Sequence, residues 1–362
     1  MRHLLFATAA LAWIAASSSL KAQEPGASAG QPAGAAMERL SINLPAGVAG
    51  SDPVRKALEE LSREQCDQQA IANLGKSLEK AGCRREAANA QVRFSETCGG
   101  HAPSLRRAVN TLFDLSDYAA AATVASKLIE LEPFNDNGYF LRAVANDKGG
   151  SPKKAIDDYI TAIELFGEKS RISSVSYLAL ARSYEKLGQF CDAVLPIEAW
   201  VAINPAVHDT SQTRSIIATY TSKGGCAVAT AAREEVFPIA RHNSVVTLPV
   251  TVNGIRGIFI VDTGATFVSL KRGFAQKAKV EIEEESAVQL NTANGLAQGK
   301  RGRAMTIQLR TLQAKDVPVV VQADGKALFG DGVDGLLGMS FLSRFNVAID
   351  AKSVKLSART PR

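Results

Sequence analysis

The sequence predicts a multidomain protein in which an all-α helical repeat precedes an all-β domain. Two patterns carry this prediction. In the first two thirds of the chain, apolar residues recur at helical spacing within a repeat of about 34 residues. Towards the end, apolar and polar residues alternate, as they do in half-buried strands. With 362 residues, 46% of them hydrophobic, the chain has the length and composition of two globular domains.

Residues 1–22 are predicted to be a signal peptide. A positively charged start precedes the apolar run 4–16, and small residues up to Ala22 provide a cleavage site. The apolar run is too short for a bilayer core of about 30 Å. We therefore expect an exported protein, periplasmic or secreted, with no membrane span after signal cleavage. The Gly-, Ala- and Pro-rich composition that follows predicts a flexible linker over 23–50.

The five cysteines fit an oxidising compartment. Two pairs are each separated by roughly the length of a helical hairpin, which favours bridges Cys66–Cys98 and Cys191–Cys226 and leaves Cys83 free. Four cysteines allow three connectivities, so the pairing is one of three alternatives. The chain has no Cys-x-x-Cys pair and only four scattered His residues, so we expect no metal site and no cofactor.

Residues 51–240 are predicted to form paired helices. Ala121, Ala155 and Ala193 occupy equivalent positions, and the second interval is slightly longer than the first. Small residues allow helices to approach closely, and the pattern over roughly three units resembles the tetratricopeptide repeat (TPR). The resemblance implies stacked helical hairpins with a continuous core and a surface for a protein partner. The alternative is a non-repeating helical bundle.

Residues 241–358 are predicted to be mostly β. Every second residue from 246 to 252 is apolar and aliphatic, namely Val246, Leu248, Val250 and Val252, and the residues between them are two threonines and a proline. Asn253-Gly254 then favours a tight hairpin turn, and the return strand runs over 255–261. Further strands are expected over 306–312 and 317–321, with one short helix near Phe341.

Asp262-Thr263-Gly264, directly behind the strand 255–261, is the candidate site. An acid, a hydroxyl and a glycine after an apolar strand make a turn that can present a carboxylate at the floor of a cleft. Acid-pair proteolysis needs two carboxylates that share one proton, because like charges about 3 Å apart cannot both ionise. The chain contains this triplet once, so the sequence predicts a homodimer with one Asp262 from each copy.

Other sites are poorly supported. The sequence has no Gly-x-Ser-x-Gly elbow, no His-Glu-x-x-His helix and no phosphate loop. The formal net charge is +6, but Lys and Arg are dispersed, so we expect no nucleic-acid partner. Asp331 and Asp334 are the other candidates for a second acid. Neither is followed by Thr-Gly or Ser-Gly, and their Gly-Asp loop is typical of a turn.

Three features in order, spanning nearly the whole C-terminal domain, resemble the retropepsin-like aspartic peptidases. They are the Asp-Thr-Gly turn at 262–264, the glycine-bearing polar segment 291–297, and the apolar-apolar-Gly run at 336–338. The resemblance implies a β-fold domain with a glycine-tipped flap hairpin. It also implies that the apolar-apolar-Gly strand packs behind the catalytic turn.

The resemblance also implies residue roles. Asp262 would be the catalytic acid, Thr263 would hydrogen-bond across the dimer, and Gly264 would let backbone amides approach the carboxylates. Asn294 and Gly295 would lie at the flap and contact substrate. The expected function is an exported aspartic endopeptidase acting on peptides or proteins. The alternative is a non-catalytic protein-interaction scaffold that keeps the peptidase fold.

Overall fold

A computed structural model describes most of the chain after residue 30. The described ranges are 31–227, 229–239, 246–292, 295–323, 329–350 and 352–358. The expected signal peptide and the first part of the expected linker lie outside these ranges.

Helices dominate the first part of the described chain. They are α1 Gln31–Arg39, α2 Ala46–Ala49, α3 Asp52–Arg63, α4 Gln68–Lys80, α5 Arg84–Thr97, α6 Ala102–Asp114, α7 Tyr118–Leu131, α8 Asp136–Lys148, α9 Pro152–Leu165, α10 Ser174–Lys186, α11 Phe190–Ile203, α12 Pro205–His208 and α13 Ser211–Gly224. Two short helices, α14 Arg272–Lys277 and α15 Met339–Leu342, lie among the strands. None of the helices in the described part has the length and apolar character that a membrane crossing needs.

Strands make up the rest of the regular structure. They are β1 Thr230–Ala231, β2 Glu235–Pro238, β3 Thr247–Val252, β4 Ile255–Val261, β5 Val268–Lys271, β6 Glu281–Ile282, β7 Val288–Thr292, β8 Gly295–Leu309, β9 Leu312–Gln322, β10 Gly335–Leu337, β11 Phe345–Ile349 and β12 Ser353–Ala358. The chain thus has the predicted class, a helical repeat followed by a β domain.

Four helical hairpins, α4–α5, α6–α7, α8–α9 and α10–α11, follow one another. Their first helices begin at Gln68, Ala102, Asp136 and Ser174. The first two intervals are equal and match the repeat of about 34 residues that is typical of TPR hairpins. The third interval is longer, because the segment 166–173 that joins α9 to α10 is twice as long as the segment 132–135 between α7 and α8. The helical-repeat prediction is confirmed, and the array has one more hairpin, α4–α5, than the sequence repetition indicated.

The predicted alanines lie in the interior of these hairpins. Ala121, Ala155 and Ala193 are each fully buried, on α7, α9 and α11. A larger side chain would separate the helices there, which explains why small residues recur at this period. Ala87 on α5 lies one repeat before Ala121 and is buried as well. It is the sequence signal that would have revealed the additional hairpin.

Both predicted disulfides are present. Cys66 precedes α4 and pairs with Cys98 after α5, so this bridge closes the first hairpin. Cys191 at the start of α11 pairs with Cys226, just beyond α13, and ties that terminal helix to the array. Cys83 is free.

The linker predicted over 23–50 is not a linker from residue 31 onwards. Helix α1 packs on α3, and Ala36 and Leu40 are buried in the same cluster as Leu58 and Leu61. Ala36 of α1 and Leu40, the residue just after the helix, are four apart and face the same side, so this segment has an apolar stripe. The Gly- and Ala-rich composition concealed this stripe.

Most of the strands form one sheet with the order β1-β9-β5-β10-β4-β3-β8-β6, and β7 pairs with β8. Because β8 pairs with β9 as well as with β3, the sheet closes into a barrel. A second sheet has the order β11-β12-β2. Since β1 and β2 belong to these sheets, the β domain begins near residue 230. The predicted boundary at 240/241 therefore lies too far along the chain.

The strand predictions are confirmed in β3, whose inward residues Leu248, Val250 and Val252 are buried. Asn253 and Gly254 make the expected turn with positive φ, 47° and 85°. The strand predicted over 306–312 instead ends at Leu309, and β9 starts at Leu312. Arg310 takes the positive φ of that turn, 53°, where neither glycine nor proline marked it.

The last two hairpins and the β domain share one apolar core. Residues of α9 to α11 and of the barrel strands belong to a single buried cluster. Polar bonds cross the same interface: Arg303 of β8 pairs with Asp192 of α11, and the Ser343 hydroxyl donates to Glu198 of α11. The helical array therefore braces the barrel directly.

Candidate active site

The backbone of Asp262 is held in the centre of the barrel sheet. Asp262 follows β4 directly, and its amide donates to the carbonyl oxygen of Leu337 with 3.2 Å between the atoms. Strand β10 runs parallel to β4, pairing Leu336 with Ile260 and Leu337 with Val261. On its other side β4 pairs with β3. The backbone that carries this carboxylate is thus held by the strands on both sides of β4.

The turn points polar groups outward. Asp262 is half-buried, and Thr263 and Gly264 are exposed. The amide of Gly264 donates to Asp262 Oδ1 at 2.9 Å, and a Cβ on Gly264 would lie 3.2 Å from that oxygen. The glycine therefore leaves the carboxylate room and directs one amide at it. The exposure of Thr263 is compatible with a hydrogen bond to a second copy, and that role stays a prediction.

The apolar-apolar-Gly strand lies behind this turn, as the resemblance implied. After β10, the amide of Met339 donates to the Ala265 carbonyl at 2.8 Å, and that of Ser340 donates to the Thr266 carbonyl at 3.0 Å. Gly338 sits so close that an added Cβ would come within 2.2 Å of the Phe267 carbonyl oxygen. Glycine is needed here because two backbones touch.

Asp334, one of the two alternative acids, is occupied elsewhere. Its carboxylate accepts a hydrogen bond from the Ile258 amide at 2.9 Å, and its own amide donates to the Ile258 carbonyl. Ile258 is four residues before Asp262 along β4, a distance of about 13 Å at the rise of a strand. Asp331 is exposed between Gly330 and Gly332, both with positive φ. The Asp334 carboxylate is thus engaged by β4 and not by the Asp262 turn.

The predicted flap is the hairpin of β7 and β8. Gly295 begins β8 with a φ of 102°, and Asn294 lies outside the described residues. The sequence did not predict what covers this hairpin: β7 packs along α9 of the helical array. A cavity of about 190 Å³ lies at the base of the hairpin, between β7, β8 and the end of β9.

No metal-binding arrangement occurs in the described ranges, where no group of three or more His, Cys, Asp or Glu side chains comes together. The residues gathered at Asp262 are instead a carboxylate, a hydroxyl and backbone amides. Such a set can hold and transfer protons and can bind a peptide backbone.

A β barrel with an Asp-Thr-Gly turn backed by an apolar-apolar-Gly strand defines an acid-protease type of domain. Residues 248–344 match the family model described as "gag-polyprotein putative aspartyl protease". The C-terminal part of the chain is therefore a retropepsin-like aspartic protease domain, and the helical part before it is TPR-like.

Solved structures similar to parts of the chain include an aspartic protease and helical proteins. A retropepsin-like aspartic protease from Rickettsia conorii is 26% identical, covering 34% of this chain and 98% of that one, with a TM-score of 0.27. MamA from Desulfovibrio magneticus is 15% identical, covering 49% and 98%, with a TM-score of 0.36. The TPR2B domain of yeast Sti1 is 24% identical, covering 34% and 95%, with a TM-score of 0.29. No curated protein matches the chain.

Proposed function

We propose that the chain is an aspartic endopeptidase that works as a homodimer, in which each copy supplies one Asp262. The observation that carries the proposal is the Asp262 turn itself. Its carboxylate is anchored through the backbone to two strands, approached by the Gly264 amide, and open on its outer side. Of the two alternative acids, Asp334 is bonded to Ile258, and Asp331 is exposed in a separate turn.

Two facing carboxylates with one proton between them can divide the chemistry of peptide hydrolysis. The ionised carboxylate takes a proton from a water molecule, whose oxygen attacks the peptide carbonyl. The protonated carboxylic acid gives its proton to the carbonyl oxygen. Collapse of the tetrahedral intermediate then breaks the C–N bond, and the amine leaves with a proton from the dyad. In this scheme the substrate is a peptide or protein.

We also propose that the protein is exported and that its helical repeats bind a protein partner. The charged and apolar start of the chain supports export. The two disulfides fit the same oxidising compartment. The stacked hairpins support the second proposal, because such arrays present an extended surface to partners.

The test compares the purified chain with its Asp262→Asn variant on a peptide library. Asparagine keeps the shape and an oxygen that accepts from Gly264, so the fold should be retained while the shared proton is lost. Asp331→Asn is the matched control, since it removes an exposed carboxylate from a separate turn. Cleavage that vanishes only in Asp262→Asn supports the peptidase. Equal cleavage by all three proteins refutes the assignment. No cleavage by any of them, with all three folded, favours the non-catalytic scaffold.

A further inference from the structure

The outer edge of strand β7 is bonded to a helix rather than to another strand. The amide of Ala287, just before β7, donates to Asp157 Oδ2 at 3.2 Å. The amide of Gln289 donates to Thr161 Oγ1 at 3.0 Å. Asp157 and Thr161 both lie on α9, and Thr161 is almost fully buried. Side chains of the helical array thus take the hydrogen bonds that a further strand would otherwise take.

The two bonds fit because the strand and the helix have matching repeats. Residues two apart on a strand face the same edge and are separated by about 6.6 Å. Residues four apart on a helix share one face and are separated by about 6 Å along its axis. Ala287 and Gln289 therefore align with Asp157 and Thr161. The two bonds therefore fix the first residues of β7 in register with α9.

A buried ion pair joins the return strand to the same helix. Arg301 of β8 is 8% exposed in its side chain and pairs with Asp157, and it also pairs with Glu283 at 2.9 Å. Burial raises the pKa of the Asp157 carboxyl, and the positive charge of Arg301 opposes that rise. Arg301 pairs with Val320 of β9, so this ion pair fixes α9 to the barrel wall just below the hairpin, and breaking it in a buried site would be costly.

Apolar contacts complete the interface nearer the turn of the hairpin. Leu290 and Ala297, a cross-strand pair, are 5% and 8% exposed. Leu296 packs against a small buried cluster on α8 and α9. That cluster consists of Tyr139, Ala162 and Leu165. We use the name hairpin seat for Asp157, Thr161 and this cluster.

We propose that the hairpin seat holds the β7–β8 hairpin and that release from the seat controls the access of peptides to Asp262. The inference rests on the proposed peptidase function. The family resemblance makes this hairpin the flap over Asp262, and where a hairpin covers a catalytic cleft, substrate enters only when that hairpin moves. Here the movement requires two hydrogen bonds and an apolar contact to be given up together. The helical repeats therefore restrain the peptidase, and Asp157 and Thr161 are positioning residues.

Two variants loosen the seat from opposite sides. Thr161→Val keeps the side-chain shape but removes the acceptor of the Gln289 amide, and Leu296→Ala removes the apolar contact from the hairpin side. Thr123→Val is the matched control, because the Thr123 hydroxyl donates to the Ala119 carbonyl within its own helix, α7. Amide hydrogen exchange of residues 287–292 measures release of the hairpin directly. Cleavage of a peptide measures access to Asp262, with Asp262→Asn as the background.

We expect hairpin amides to exchange about fivefold faster in each seat variant, which corresponds to the loss of one net hydrogen bond or a similar contact. We expect kcat/KM for Asp262-dependent cleavage to rise by a similar factor. Thr123→Val should match the unmodified chain in both measurements. Urea unfolding of each variant identifies any general loss of stability.

Three outcomes would overturn the proposal. Unchanged exchange in both seat variants would show that the seat does not hold the hairpin. Faster exchange with equal or lower kcat/KM would show that the seated hairpin is not a restraint. If neither the unmodified chain nor either seat variant cleaves peptide, the proposed function fails, and control of access fails with it. That result differs from a failure of the seat alone, in which Asp262-dependent cleavage persists and is the same in all variants.

Discussion

The Asp334 carboxylate accepts a hydrogen bond from the backbone amide of Ile258, with 2.9 Å between the two atoms. The backbone of Asp334 also bonds to the Ile258 carbonyl and to the Lys271 amide. This aspartate thus joins the loop before β10 to strands β4 and β5. Its role is to position β10, the strand that in turn holds Asp262.

Asp334→Ala should destabilise the β domain. The Ile258 amide would lose its acceptor at an exposed site where water can replace it, so we expect a net loss of about 0.5–1.5 kcal/mol. The urea midpoint should therefore fall while that of Asp331→Ala stays within experimental error, because Asp331 is exposed. Equal midpoints for the two variants would contradict the structural role, and loss of activity in Asp331→Ala alone would make that residue the better candidate for a second acid.

Gly338→Ala should disrupt the turn that carries Asp262. The new Cβ would lie 2.2 Å from the Phe267 carbonyl oxygen and 2.6 Å from its carbon, so the backbone itself must shift. Such overpacking costs about 1–3 kcal/mol. Gly273→Ala is the control, because a Cβ at that position on α14 meets nothing within 4 Å. Thermal unfolding measures the stability of both variants. A Gly338→Ala protein as stable as Gly273→Ala would show that β10 does not pack against the turn as described.

Mixing subunits tests the proposed dimer. A dimer with one Asp262→Asn copy has one ionisable carboxylate and cannot share a proton between two. When equal amounts of unmodified and variant chains exchange freely, activity should fall to about a quarter rather than a half, the share of dimers with two intact copies. Specific activity of the unmodified chain should also fall on dilution as dimers dissociate. Constant specific activity under conditions where sedimentation detects only monomers would contradict the dimer.

Loss of the Cys191–Cys226 bridge should destabilise the helical array where it meets the barrel. The bridge ties α13 to α11, and α11 contacts the barrel through Asp192 and Glu198. Replacing both cysteines by serine should cost about 2–4 kcal/mol. Cys83→Ser, which removes the free thiol, is the matched control. Denaturant unfolding of the oxidised proteins provides the measurement. A double variant as stable as Cys83→Ser would mean that the bridge adds nothing.

Sequence patterns over a few adjacent residues were sufficient to predict the elements whose conformation depends on those residues alone. The alternation from Val246 to Val252 and the Asn253-Gly254 turn predicted a hairpin because side-chain period and positive φ are properties of a few adjacent residues. The regular recurrence of alanines predicted stacked helices for the same reason. Where the pattern was weak, the prediction failed. Ala36 and Leu40 gave the segment at α1 an apolar stripe within a composition typical of linkers, and Arg310 made a turn without glycine.

The sequence by itself determined the fold class and the Asp262-Thr263-Gly264 turn as the candidate site, and it favoured the cysteine pairing that the structure shows over two alternatives. Each of these follows from spacing along the chain. Only the tertiary structure decided that Asp334 is tied to Ile258 and that α9 meets β7. Asp157 and Arg301 lie far apart in the sequence, and their contact depends on how the helical array packs against the barrel. No local period encodes such a contact, because it exists only when both surfaces are folded and their charges are buried together.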